Sequence, residues 1–420
     1  MPTIDLKYGK TSIPFDYDSG KFQILSSTAT ARALSDAEIG NALDFPIDSA
    51  PLEEKVHAGE RVLLVVPDAT RQSGCGQIIN LVVRRLIANG SAPSDINIIF
   101  ATGIHRPVTE DEKQELLTPF IAQRINTLAH NADDAIRNFR VGETSAGITV
   151  ELNWVLTEYD HVVLIGSVTF HYFAGFTGGR KLICPGLASA RTVEATHRLA
   201  FDCGTKDRRS GVGTARLDGN PVHEAFLEAA AFVDPSFAIM TIVNDTGEVT
   251  EACAGDWITS HRRACESYLG SHSVKINEKR DIVIASCGGY PLDINMIQAH
   301  KTLEAASNAC SDGGTILLLA ECADGLGRAD FIDWFRSKTS DQLADRLCAD
   351  YKVNGQTAWS LLRKAERFNV EILTSLSDRD TQEMKMKKVN DLTRTIEHLH
   401  GDRKGYILPV GSKVFMSENE

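Results

Sequence analysis

The chain is short of positive charge: 44 Lys and Arg stand against 56 Asp and Glu, a net charge of −12. A nucleic-acid partner calls for a basic face, so that class of function is disfavoured, while a local positive pocket for a small anion remains open. The nine cysteines (Cys75, Cys184, Cys203, Cys253, Cys265, Cys287, Cys310, Cys322, Cys348) are odd in number and include no Cys-x-x-Cys pair. This predicts reduced thiols and excludes a dense disulfide framework. No apolar run is long enough to span a bilayer, so no membrane association is expected. Met1-Pro2-Thr3-Ile4-Asp5 has no basic region followed by an apolar stretch, which predicts no signal peptide and a cytoplasmic location. Three site motifs are also missing. There is no Gly-x-Gly-x-x-Gly, no Walker loop and no His-Glu-x-x-His, which disfavours an NAD-dependent dehydrogenase, a conventional nucleotide site and a compact zinc site.

What is present fits two α/β domains. At 420 residues the chain is long for one core, and its 43% hydrophobic and 24% charged content is that of an ordinary globular protein. Short apolar runs alternate with helical stretches. Arg61–Val66, Ile96–Ala101 and His161–Gly166 read as buried strands, with a helix over Gln77–Ala88 after the first. The theme restarts with Asp281–Ser286, Thr315–Ala320 and Val370–Thr374. Strands alternating with helices predict a parallel or mixed sheet in each domain. The charged Glu278-Lys279-Arg280 places a boundary at 270–280, hence an N-terminal domain over 1–275 and a C-terminal domain over 276–404. The run Tyr406–Val410 is assigned to neither sheet, and 405–420 could complete the first domain. At the N-terminus, Ile13–Tyr17 and Lys21–Leu25 flank Asp18-Ser19-Gly20, which reads as a small β element around a turn.

In open α/β sheets ligands bind beyond the carboxyl ends of the strands. The polar residues collect there: Asp68-Ala69-Thr70-Arg71 after the first strand, Thr102-Gly103-Ile104-His105-Arg106-Pro107 after the second, Val168–His171 after the third, and Gly288-Gly289-Tyr290-Pro291 in the second block. One site in an interdomain cleft is expected. Imidazole suits proton transfer near neutral pH, and a pair at neighbouring strand ends, His105 and His171, could serve two faces of one substrate. A lone loop histidine more often caps a helix or bonds a carbonyl; the paired placement favours chemistry. Gly178-Gly179-Arg180-Lys181 combines close backbone approach with cations suited to an anion. A crowded cationic setting also depresses a lysine pKa and favours a nucleophile. His197 follows a helix N-cap at Ser189, and taken alone it reads as structural. Arg71, Gln298 and Lys301 are candidate anion and hydroxyl binders, the last two on one helical face.

Taken together these segments resemble the nickel-dependent lactate racemase family. The match rests on Asp68–Arg71, on Ala101–Pro107, on His171-Tyr172-Phe173-Ala174-Gly175-Phe176-Thr177-Gly178-Gly179-Arg180-Lys181, on Pro185–Ser189 through His197, and on Gly288–Asp293 with Gln298 and Lys301. It covers most of residues 60–330. The resemblance implies nickel held in a nickel-pincer nucleotide (pyridinium-3,5-bisthiocarboxylic acid mononucleotide) tethered to Lys181. It places Asp68, Gly178, Gly179 and Arg180 around that cofactor and makes His197 the protein ligand to nickel. His105 and His171 become the acid/base pair, and Arg71, Gln298 and Lys301 bind the substrate. The implied activity is racemisation or epimerisation of a 2-hydroxy acid at C2, by reversible hydride transfer to the cofactor, which carries the hard chemistry. The implied partners are cofactor-biosynthesis enzymes. Ile297 stands where the lactate racemases carry Tyr, Gln356 where a Trp is expected (with Trp359 nearby able to supply the ring instead), and Gln72 where a Pro follows the arginine. Exchanged pocket walls move selectivity, so malate, a longer 2-hydroxy acid or a sugar acid competes with lactate. The alternative is a non-catalytic binding protein for the cofactor or a small carboxylate, in which site residues would be broken. Here they are all present.

Overall fold

The computed structural model describes residues 1–29, 32–399 and 403–418, and divides into two compact units. One comprises Ala29–Ala200 and Ser210–Gly270; the other comprises Met1–Thr28, Phe201–Arg209 and Ser271–Glu420. This differs from a single cut after residue 275, because two distant segments join the second unit.

The first unit is built on a six-stranded sheet. Its spatial order is Asn126–Leu128, Ile96–Ala101, Val62–Pro67, His161–Ser167, Phe237–Val243, Val249–Gly255. Counted along the chain within this sheet, that order is 3-2-1-4-5-6, the doubly wound arrangement. All pairings are parallel except the last, where Phe237–Val243 and Val249–Gly255 run antiparallel. The strand over Val62–Val66 is wholly buried, as a continuous β-branched and leucine run covered on both faces must be. The following helix, Cys75–Ala88, buries Ile78, Ile79, Val82, Val83 and Leu86. That spacing forms one helical stripe, and each such side chain contributes about 1.5–3 kcal/mol on burial. The chain order reverses between Val62–Pro67 and His161–Ser167, so a crevice is expected beyond the carboxyl ends of these two neighbours.

The second unit carries another six-stranded sheet, parallel throughout: Lys387–Val389, Asn369–Leu373, Cys310–Leu319, Arg280–Ser286, Gly405–Leu408, Phe22–Ile24. The helices Met296–Ala309 and Val353–Arg367 pack within its main apolar core. The open question of the C-terminal run is settled: Gly405–Leu408 lies between Arg280–Ser286 and Phe22–Ile24 in this sheet. The N-terminal element also differs from the reading around Asp18-Ser19-Gly20. The hairpin pairs Thr3–Tyr8 with Thr11–Asp16, and the later turn leads Phe22–Ile24 into the parallel sheet. Buried Asp293 holds the hairpin turn by accepting from Gly9 N–H at 2.7 Å, so the Gly288–Asp293 segment has a structural task.

The expectation of nine reduced thiols is corrected. Cys203 and Cys348 are joined although 145 residues apart, and the other seven are free and buried. Their meeting depends on the Phe201–Arg209 excursion, which also carries the Lys206–Asp345 and Arg208–Glu304 ion pairs. No sequence spacing announces such a long-range pairing. Among the described residues no helix is long and apolar enough to cross a membrane.

Candidate active site

Three loops leave the carboxyl ends of adjacent strands in the first unit and are tied to one another. Ser167 Oγ donates to Gln72 O at 2.9 Å, and Thr241 Oγ1 donates to Ser73 O at 2.7 Å. Gly103 N–H donates to Gly186 O at 2.8 Å. Asp68, Arg71, His105, His171, Lys181 and His197 all belong to this unit.

Asp68 is buried just past the end of Val62–Pro67. Its Oδ1 accepts from Thr70 N–H at 3.0 Å and Thr70 Oγ1 at 2.6 Å, and its Oδ2 lies 2.7 Å from His105 Nδ1. Burial alone pushes this carboxyl up, but His105, Arg71 and Thr70 outweigh it and hold the group well below the usual carboxylate range. Asp68 is therefore ionised at neutral pH, with both oxygens engaged inside the chain. The same turn carries Arg71, whose N–H donates to Asp68 O at 3.2 Å. His105 itself is exposed. His171 is buried; its Nδ1 accepts from Ala174 N–H at 3.3 Å, and its ring meets Phe173 edge-on at 4.4 Å.

Phe173 links this histidine to the next group. The His197 ring lies 5.1 Å from the Phe173 ring and 5.4 Å from that of Phe226. Lys181 Nζ sits 4.7 Å from the Phe226 ring centre and 5.5 Å from that of Phe173. Burial, then the Arg180 and Arg71 guanidiniums, push the Lys181 amine well below its ordinary value, which favours the neutral nucleophile. His197 lies on the helix Ala190–Arg198, capped by Ser189, which accepts from Thr192 N–H. Its Nδ1 donates to Val193 O at 2.7 Å, and burial followed by Lys181 pushes its pKa down to about 3. A neutral imidazole whose Nδ1–H is committed to a backbone carbonyl presents Nε2 as a lone pair. That is the form a metal requires.

Gly178, Gly179 and Arg180 turn toward the protein's own interior. A Cβ on Gly179, at φ +53°, would stand 2.6 Å from the His261 ring; one on Gly178, at φ +74°, would stand 3.0 Å from Ser167 O. Arg180 is almost completely buried and donates to Ala174 O at 2.7 Å and Gly178 O at 3.3 Å, with His261 Nε2 3.1 Å away. Burial brings its pKa down to about 10, so it stays a cation and clamps the loop that carries His171 and Lys181. Gly179→Ala is expected to lower stability by about 1–3 kcal/mol through backbone strain and the His261 clash. The urea-unfolding midpoint measures this, and an unchanged midpoint would contradict it.

Sequence reasoning missed Phe226, His223 and His261, which surround Lys181 and Arg180. Helix patterning gave no reason to single out one Phe or His, although Asn220-Pro221 marks the cap of the helix that carries Phe226 and His223. His223 is buried, and among the described residues neither ring nitrogen has a hydrogen-bond partner. Burial, then Arg180 and Arg262, push its pKa down to about 3. The unfolded chain binds this proton near pH 6.5. Between about pH 6.5 and 3 the unfolded state therefore holds more protons, and stability falls as pH falls. His223→Phe should flatten that loss between about pH 7 and 4 in urea titrations; an unaltered slope would count against it.

Gln298 and Lys301 lie in the second unit, on the helix Met296–Ala309 with Asn295 as N-cap. Their shared face is seen directly, since Lys301 Nζ donates to Gln298 Oε1 at 2.7 Å. Ile297 is partly buried against the core of this unit, and Gln356 is buried on Val353–Arg367, where Tyr351 OH donates to it.

The sequence matches the lactate racemase N-terminal domain over residues 8–208 and the lactate racemase C-terminal domain over residues 275–408. It is 30% identical over 347 residues to the lactate racemase of Thermoanaerobacterium thermosaccharolyticum, covering 81% of this chain and 80% of that protein. The lactate racemase of Lactiplantibacillus plantarum is 32% identical over 336 residues, 79% of this chain and 77% of the relative. The lactate racemase apoprotein structure from T. thermosaccharolyticum superposes with a TM-score of 0.87 at 27% identity, covering 99% of this chain and 100% of that one. A Thermotoga maritima protein with a TM-score of 0.73 and 19% identity, covering 94% of this chain and 100% of its own, shares the fold. With both halves matched, and with relatives covered over most of their length, this chain belongs to the lactate racemase family, a family of isomerases.

Proposed function

We propose that this protein is a racemase or epimerase that inverts C2 of a 2-hydroxy acid with a nickel-pincer nucleotide tethered to Lys181. The observation that carries the reading is the pairing of a neutral His197, its Nδ1–H committed to Val193 O, with a depressed Lys181 amine between Phe173 and Phe226. The residues fit the cofactor on chemical grounds. Among the described residues there is no group of three His, Cys, Asp or Glu that could hold a metal, so a metal at His197 takes its other ligands from a bound group. When bound, the nickel-pincer nucleotide supplies the centre that takes up the C2 hydride and gives it back.

The chain's own groups handle protons, charge and orientation. His105 and His171 handle the hydroxyl proton: one takes it up as the keto acid forms, and the other, protonated, supplies one when the hydroxyl is restored. Loss of the hydroxyl proton and the C2 hydride leaves an achiral 2-keto acid, so return to the other face inverts the centre. Arg71, Gln298 and Lys301 bind the carboxylate and polarise the oxygen. Gly178, Gly179 and Arg180 shape the loop around the tether. The chemistry belongs in the cytoplasm, where enzymes that assemble the cofactor would be its partners.

Made together with those enzymes, the protein is expected to contain stoichiometric nickel and a covalent adduct on Lys181 by intact-mass and metal analysis. Active protein with neither would sink the reading. The substrate depends on the walls beside Gln298. Ile297→Tyr is expected to shift selectivity between lactate and bulkier 2-hydroxy acids by about 10–200-fold in kcat/KM, as a changed hydrophobic wall does. Equal kcat/KM ratios in both forms would remove Ile297 from the pocket.

A further inference from the structure

We infer that Asp68 is a positioning residue that fixes the tautomer of His105, leaving His105 Nε2 as the resting proton acceptor. For its kinetic consequence this rests on the racemase reading; the geometry stands without it. The resemblance alone placed Asp68 among cofactor contacts, but both its oxygens are used within the chain.

An ionised carboxylate can only accept, so the 2.7 Å contact between Asp68 Oδ2 and His105 Nδ1 requires the proton on Nδ1. A neutral His105 then has its lone pair on Nε2, the nitrogen turned away from Asp68. The ring is exposed while the carboxylate is buried, so Nε2 is the end open to a substrate. Asp68 is itself fixed: Thr70 satisfies Oδ1 twice, and the residue sits at the end of a buried central strand. One side chain therefore shapes the turn carrying Arg71 and orients the base on the neighbouring loop. His171 is held differently. Its Nδ1 accepts from Ala174 N–H, which places a neutral ring's proton on Nε2. The two neutral histidines thus rest in opposite tautomers, His105 presenting a lone pair at Nε2 and His171 an N–H there.

Asp68→Asn tests this with little change of shape. Its carbonyl can keep the Thr70 contacts while its amide N–H donates to His105 Nδ1, moving the ring proton to Nε2. The readout is ¹⁵N-histidine NMR of the full chain without cofactor, at a pH where the ring is neutral, with His105→Gln assigning the signal. Wild type is expected to show Nδ1–H at His105, and D68N is expected to show Nε2–H. In the loaded enzyme D68N should lower kcat by about 10²–10⁴-fold, the range for losing a general base, with a smaller change in KM. A purely turn-shaping role through Arg71 would raise KM and leave the tautomer alone. Wild-type His105 protonated on Nε2 would overturn the inference even if D68N fails to fold. So would D68N retaining Nδ1–H. Failure of the racemase reading shows separately, as loaded wild-type enzyme that never erodes an enantiopure substrate.

Discussion

Lys181→Met is expected to give a folded protein, at least as stable as the original, with no covalent adduct and racemisation at background. The stability follows from the pocket. Lys181 is placed against Phe173 and Phe226, with Arg180 and Arg71 close enough to depress its amine. Among the described residues no carboxylate pairs with this amine, which meets desolvation and like charge. An isosteric thioether removes both costs while keeping the volume. The activity is lost because the hydride-carrying group has no tether, whatever the state of the histidines. Thermal unfolding, intact mass and enantiomeric excess measure the three parts. A stable variant that still racemises would dissociate Lys181 from the chemistry, whereas a collapse in stability would make the amine structural.

His105→Ala and His171→Ala are each expected to lower kcat/KM by about 10²–10⁴-fold while leaving the Lys181 adduct intact. Their separate anchoring supports this. The His105 side chain bonds Asp68 and its ring is exposed, so truncation should cost little stability. His171 is buried among Tyr172 and Phe173, so its truncation also leaves space in an aromatic cluster, and His171→Asn is the gentler companion. Because both protons belong to one round trip, the double variant should be scarcely worse than either single one. Full activity in either single variant would remove the two-histidine scheme.

Much of the fold was legible because local composition decided it. The Arg61–Val66 run could hardly be anything but a covered strand, and it forms Val62–Pro67 at the centre of its sheet. The helix expected over Gln77–Ala88 begins two residues earlier, at Cys75. What was not legible depends on contacts between distant segments. Phe22–Ile24 pairs with Gly405–Leu408, and Cys203 meets Cys348, through folding of the whole unit; neither partner carries a local mark of the other. The strand-end rule drew notice to Asp68, Arg71, His105 and His171 because loops there have polar residues that no core requires. The rule does not say which way a side chain turns. Gly178-Gly179-Arg180 reads as an anion cradle in sequence, yet burial turns Arg180 onto the carbonyls of its own loop. Phe226 was invisible for the opposite reason, an ordinary residue on an ordinary helix that happens to wall Lys181.

The most direct test is loss of optical purity. Enzyme carrying the Lys181 adduct would be incubated with each single enantiomer of lactate, malate, phenyllactate and a gluconate-like acid, and enantiomeric composition, or for the sugar acid the C2-epimer ratio, followed by chiral chromatography. At least one acid is expected to lose its purity from either enantiomer, or to epimerise at C2, without accumulation of free 2-keto acid. Retention of configuration by every acid in the panel, with nickel and adduct present, would contradict the account.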